Sequence, residues 1–158
     1  MHDEQVAAGL YAAIHTAIEN EVERLHQQAT AVADAFWDLH FWYRKNADKA
    51  LWGSYGVRVR QRANTVSIDW YRMVFYGPPG NRQVTHNHIK RGKGTRYSRT
   101  AFKQAQAWEL EAIMEAEAQF EKIRRAAERL VAIGQQARYY DSTVNAMAQL
   151  GDTVSHHA

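Results

Sequence analysis

Apolar residues in this chain recur first at helical spacing, then at every second position, then at helical spacing again, and this double change of period limits the fold more than any other feature. From Glu4 to Leu51 the spacing predicts one long helix. Beyond Val22 the steps alternate three and four through Leu25, Ala29, Val32, Phe36, Leu39 and Tyr43, a heptad seam of the coiled-coil kind. Tyr11, Ile14 and Ile18 extend the stripe toward the amino terminus after a four-residue step, a stutter in that register. Gly53 and Gly56 then break the pattern, as glycine near a helix end commonly does.

Between residues 57 and 90 the period is two. Val57 to Arg62 alternates apolar with mostly basic residues, so Arg58, Arg60 and Arg62 share one face of a strand. Thr65 to Tyr76 is β-branched and aromatic on both faces, which suits a central strand. Gly77-Pro78-Pro79-Gly80-Asn81 is a strong turn signal, and a third strand follows it. A three-stranded meander with one apolar face needs cover, so Val57, Val59, Val66, Ile68 and Trp70 are expected to pack on helices.

The second helix is expected over 101–134, capped by Ser98 or Thr100. Its stripe runs through Phe102, Ala105, Trp108, Ala112, Ala116, Phe120, Ile123, Ala127 and Leu130. Gly134 can end the helix, kink it or sit on its surface. A short helix over 136–150 and a mobile tail over 151–158 complete the expectation. The fold class is α+β in a single domain: two long antiparallel helices, a helical hairpin whose end carries a three-stranded antiparallel β-meander inserted between them.

Charge is divided along the chain. Ser54 to Lys103 holds eleven Lys or Arg against one acid, Asp69, or +10; the remaining nine bases and sixteen acids give −7, which together make the net +3. A basic centre between acidic arms suits a chain whose middle meets a polyanion. With no cysteine, disulfides, thiolate metal sites and a cysteine nucleophile are excluded. The start of the sequence lacks a basic segment before an apolar run, so neither export nor a membrane anchor is expected, and a cytoplasmic location is.

The loop from 91 to 99, entered at Lys90, concentrates Lys90, Arg91, Lys93, Arg96 and Arg99, with Gly92 and Gly94 allowing close backbone approach. The amino terminus of the next helix would add N–H groups for an anion. A solvated turn would use the same glycines, and the P-loop spacing is missing. The row Arg58, Arg60, Arg62 suits phosphate contact, although charge also protects an edge strand from aggregation. Tyr71, Met73 and Phe75 could stack on bases if exposed, but on a central strand they are read as core.

Other motifs are weaker. The consecutive His86-Asn87-His88 carries the letters of the HNH nucleases without their spread over a ββα unit, so a polar strand face is the reading. Glu23 and His26 form a lone E-x-x-H, where a di-iron bundle needs two. Asp69 is expected to pair with a cross-strand arginine. Glu109, Glu111, Glu115, Glu117 and Glu121 are read as a solvated helix face. No catalytic set, metal site or cofactor is assigned.

SIDWYR (Ser67 to Arg72), RGKGTRYS (Arg91 to Ser98) and WELE (Trp108 to Glu111), in that order, resemble the MobI family of conjugative accessory proteins. The resemblance implies an auxiliary factor for mobilising integrative conjugative elements or plasmids, acting at the origin of transfer beside a relaxase, without enzyme activity of its own. It supplies no functional residues, so the expected DNA-binding set stays Arg58, Arg60, Arg62, Lys90, Arg91, Lys93, Arg96 and Arg99. The expected partners are double-stranded DNA at that origin and a relaxase, with the acidic helices holding the relaxase or forming a homodimer. The alternatives are a coiled-coil adaptor whose basic tip binds an acidic protein, and after it a metal-dependent nuclease using His86 and His88.

Overall fold

A computed structural model describes residues 2–155. Helix α1 spans His2–Asn46, strands β1, β2 and β3 span Tyr55–Arg62, Thr65–Tyr76 and Gln83–His88, and helix α2 spans Ala107–Ser155. Short 3-10 turns at Lys49–Leu51 and Arg99–Phe102 join the helices to the sheet. The expected α+β class is what the chain adopts: two long helices and a three-stranded antiparallel sheet in the order β1-β2-β3.

The helices run antiparallel. Ile18 lies beside Gly134 at one level, while Phe36 and Ala116 border one groove at another. A Cβ on Gly134 would sit 3.3 Å from Ile18 Cδ1, so the bare backbone lets α1 and α2 approach closely. That explains a glycine inside a helix. α2 passes through it unbroken to Ser155, taking in the expected separate helix over 136–150 and the first five residues of the expected tail. Residues 156–158 lie outside the described residues.

The buried positions of α1 are Ile18, Val22, Leu25, Ala29, Ala33, Phe36 and His40. Their steps repeat four, three, four, an eleven-residue period near that of a straight helix, in place of the expected heptad. Ala33 and His40 consequently take the places expected of Val32 and Leu39, and Leu39 is exposed. Two partners cause the drift, because α1 packs on β1 and β2 as well as on α2.

The sheet lies along the helix pair instead of at its tip. Gly53, just before β1, touches Glu109 and Trp108, whereas Asn64, at the β1–β2 turn, shares a groove with Tyr11, Ile14 and Gly134. From Glu109 to Gly134 is about 37 Å of helix at ~1.5 Å per residue. The inner face presents Val57, Val66, Ile68 and Trp70, all buried, with Val59 partly covered. Trp70 is the centre of the core, with Phe36, Phe102 and Phe120 edge-on at centroid distances of 4.9, 5.7 and 6.1 Å.

Candidate nucleic-acid interface

Pleating decides the outer face. With Val57 opposite Trp70 and Val59 opposite Ile68 on the core side, Arg58, Arg60 and Arg62 must project the other way, opposite Asp69, Ser67 and Thr65. All three arginines are exposed. Alternate residues on a strand stand about 7 Å apart, so the row is about 13 Å long, close to the ~12 Å width of a B-DNA major groove.

β2 and β3 add to this face. Tyr71 pairs with Gly56 on one side and His88 on the other, and its ring lies where a Gly56 Cβ would project. Arg58 stands over the Tyr71 ring at 5.2 Å, and the His86 ring stacks on Tyr71 at 4.6 Å. Arg58 Nη2 lies 3.4 Å from His86 Nδ1. A guanidinium has only donors, so this ring nitrogen accepts. Tyr71 is half-buried, its hydroxyl pKa raised by burial against the opposing pull of Arg58. Phe75, read as core from the sequence, is 44% exposed on the same face.

Asp69 pairs across the strands as expected, but diagonally: Arg60 Nη2 is 3.4 Å from its Oδ2, which also accepts a 2.6 Å hydrogen bond from Ser67. Arg60 is therefore partly neutralised. Arg58 and Arg62 have no carboxylate partner among the described residues.

The basic loop is a packed structure. β2 is twelve residues long and β3 only six, so half of one β2 edge has no strand beside it. The loop covers the Ile68–Trp70 end of that edge, and a cavity of about 290 Å³ lies along the rest of it, from Thr65 to Asp69. Tyr97 is buried with its hydroxyl 3.5 Å from Trp70 N, while Ile68 O accepts from Arg124 Nη2 at 3.2 Å and Thr95 O from Arg124 Nη1 at 2.9 Å. Burial raises the Tyr97 hydroxyl pKa, opposed by that backbone bond and by Arg124.

Arg124 in turn meets Glu117 through two bonds of 3.0 and 2.9 Å, and Glu117 accepts from Trp70 Nε1 at 2.7 Å and from Tyr97 N at 2.8 Å. Both side chains are buried. Glu109 is also fully buried, accepting from Tyr55 N at 3.0 Å and Gln106 N at 3.3 Å. Desolvation raises its pKa, partly offset by these hydrogen bonds and by Arg72. The solvated acidic face expected on α2 is thus corrected at these two positions: Glu117 anchors the loop, and Glu109 anchors the start of β1.

Loop cations have different surroundings. Arg91 donates through Nε to Gly94 O at 2.8 Å, closing a turn in which Gly92 has φ +85°, and it lines a cavity with Ser67 and Asp69. Arg91 thereby adjoins the outer face at the Arg60 end. Arg96 is drawn toward Glu121 on α2 at 3.6 Å. Lys90, Lys93 and Arg99 are exposed, and no hydrogen bond or ion pair among the described residues ties them to the arginine row.

The expected helix amino terminus beside the loop is absent. Ser98 caps only the 3-10 turn, accepting from Thr100 N at 3.3 Å, and α2 starts at Ala107 with Glu109 already bonded to its first turn. Three further cations, the half-buried Arg44 and the exposed Lys49 and Arg82, escaped the sequence reading because they lie in three separate parts of the chain and no local period links them.

No helix among the described residues is long and apolar enough to cross a membrane. No curated protein and no solved structure matches the chain significantly. A family model described as MobI protein matches residues 25–138, more than two thirds of the chain, covering the second half of α1, the whole sheet, the loop and the part of α2 that packs against them. The chain belongs to the MobI family, and membership implies an accessory role in mobilisation and conjugative transfer.

Proposed function

We propose that this MobI-family protein binds double-stranded DNA at an origin of transfer and presents it to a relaxase. The observation that supports this most is the exposed row of Arg58, Arg60 and Arg62 on the sheet face turned away from the core, with Arg91 adjoining it. Phosphate contacts would supply most of the affinity, with Lys90, Lys93, Arg96 and Arg99 extending the cationic surface. Tyr71 and His86 stiffen the row by holding Arg58. No catalytic residue is needed for this role, and none is assigned.

About five to eight phosphate contacts correspond to a log–log salt slope of about −4.5 to −7 on B-DNA. Fluorescence anisotropy with labelled duplex over a range of salt measures it, and a slope near zero rejects the proposal. Footprinting on DNA flanking the encoding element then tests sequence preference and the origin together.

The relaxase, or a second copy, has a surface available on α2 beyond Arg138. Tyr140, Met147, Leu150 and Val154 are exposed there at near-helical spacing, an apolar stripe that supports a helical partner.

A further inference from the structure

At the end of the sheet remote from Arg62, where α1 stops and β2 enters its turn, Arg44, Lys49, Trp52, Phe75 and Arg82 line a cleft of about 420 Å³. They come from five places in the chain: the last turn of α1, the 3-10 turn after it, the residue following that turn, β2, and the segment before β3. The remaining lining residues are Gly53 and Ser54, so among the described residues no carboxylate enters the cleft. Among the described residues none of the three cations forms an ion pair.

Arg44 is held in place. Its guanidinium carbon stands 4.8 Å from the centre of the Trp52 ring and 5.3 Å from that of Phe75. Trp52 is itself fixed by a 3.2 Å bond from Nε1 to Ala47 O. Aromatic faces that grip a guanidinium leave its in-plane donors free for an anion. Three like charges without a counterion repel one another, and an anion between them removes that cost.

The ligand must supply both charge and a flat apolar surface, because Phe75 is 44% exposed at the cleft. An unpaired nucleic-acid strand offers phosphate and base face in alternation, whereas a duplex hides its base faces in the stack. The volume lies within the ~300–1,000 Å³ of small-ligand sites, enough for a nucleotide and too little for a duplex. We infer that this cleft binds single-stranded DNA, a phosphate seated among Arg44, Lys49 and Arg82 and a base stacked on Phe75. The inference takes the polymer, DNA, from the proposed function and nothing else. Phe75 lies six residues from Asp69 along β2, about 20 Å, so duplex on the arginine row and an unpaired strand in the cleft would meet as a junction.

The test is anisotropy with a fluorescein-labelled twelve-nucleotide oligo-dT and, separately, a labelled twenty-base-pair duplex, each added to the full chain. Arg82→Gln and Phe75→Ala alter exposed side chains, and circular dichroism with a melting curve confirms their folding. Each is expected to weaken oligo-dT binding about 5- to 20-fold, in line with the alanine cost of a stacked base, while duplex affinity stays within about twofold. Replacing Arg58, Arg60 and Arg62 by Ala should show the reverse pattern. Oligo-dT binding that is absent in the wild type, or unchanged in both cleft variants, overturns the cleft. A wild-type protein that binds oligo-dT through the cleft but does not bind the duplex overturns the proposed duplex function and leaves the cleft standing.

Discussion

Glu117 and Arg124 meet two turns apart on α2 through a paired set of hydrogen bonds, 2.9 and 3.0 Å long, wholly beneath the sheet. The pair reaches four further groups on two other segments: Trp70 Nε1, Tyr97 N, Thr95 O and Ile68 O. It locks the core strand, the basic loop and the second helix together.

Removing one partner strands the other in the core. Glu117→Gln and Arg124→Met should each lower stability by about 3–5 kcal/mol. A bare buried pair can often be replaced by apolar residues without loss, but here Glu117→Met with Arg124→Met leaves four backbone or indole groups unmatched. The double variant should therefore recover little of that loss in urea denaturation.

Duplex binding on the arginine row, as proposed, predicts a salt signature. Replacing Arg58, Arg60 and Arg62 together by Ala should reduce the magnitude of the log–log salt slope for duplex by about 2 to 3, roughly 0.9 per phosphate contact. Anisotropy at stepped ionic strength reads this directly. An unchanged slope would mean that DNA lies elsewhere on the molecule.

Asp69 is a negative charge inside a positive face, held 3.4 Å from Arg60. Asp69→Asn should release Arg60 and remove repulsion toward phosphate, so duplex affinity should rise, by about 2- to 10-fold at low salt and less as salt screens it. Weaker binding would show that Asp69 orients Arg60 more than it occupies it.

Gly53 has no room for a side chain, because a Cβ would run into the Glu109 carboxylate and the Trp108 ring. Gly53→Ala should cost about 1–3 kcal/mol and lower the melting temperature by several degrees.

Glu109 gives a pH test. Its pKa in the fold is raised above the ordinary 4.5 by burial, so the folded state binds its proton more tightly than the unfolded chain does. The stabilisation from that proton is complete below about pH 4.5 and is lost as pH rises through the folded value. Glu109→Gln removes this slope. The difference in stability between wild type and variant, followed by denaturation from pH 4 upward, should shift against the wild type until the carboxyl is fully ionised; a constant difference contradicts the assignment.

Period, turn chemistry and charge made the α+β class, the meander and the arginine row legible in the sequence. Val57, Val66, Ile68 and Trp70 were readable as the inner face because pleating ties them to their alternation. The heptad on α1 misled because a seam serving one partner and a face serving two differ by a fraction of a residue per turn, which places Ala33 and His40 inside and Leu39 outside. Glu109 and Glu117 were unreadable, since a buried carboxylate is distinguished only by partners such as Tyr55 N and Tyr97 N, remote in sequence. The cleft at Arg44 was hidden for the same reason: its cations lie up to 38 positions apart, from Arg44 to Arg82.

An unpaired strand border is an invitation to other chains, and here Tyr97 and Arg124 sit where such a border would start at Ile68 and Trp70. The cationic connector is therefore a plug at the Trp70 end of that border. Swinging it out would expose strand backbone at Trp70, so a ligand of Lys90 and Lys93 would have to be met from a stationary backbone.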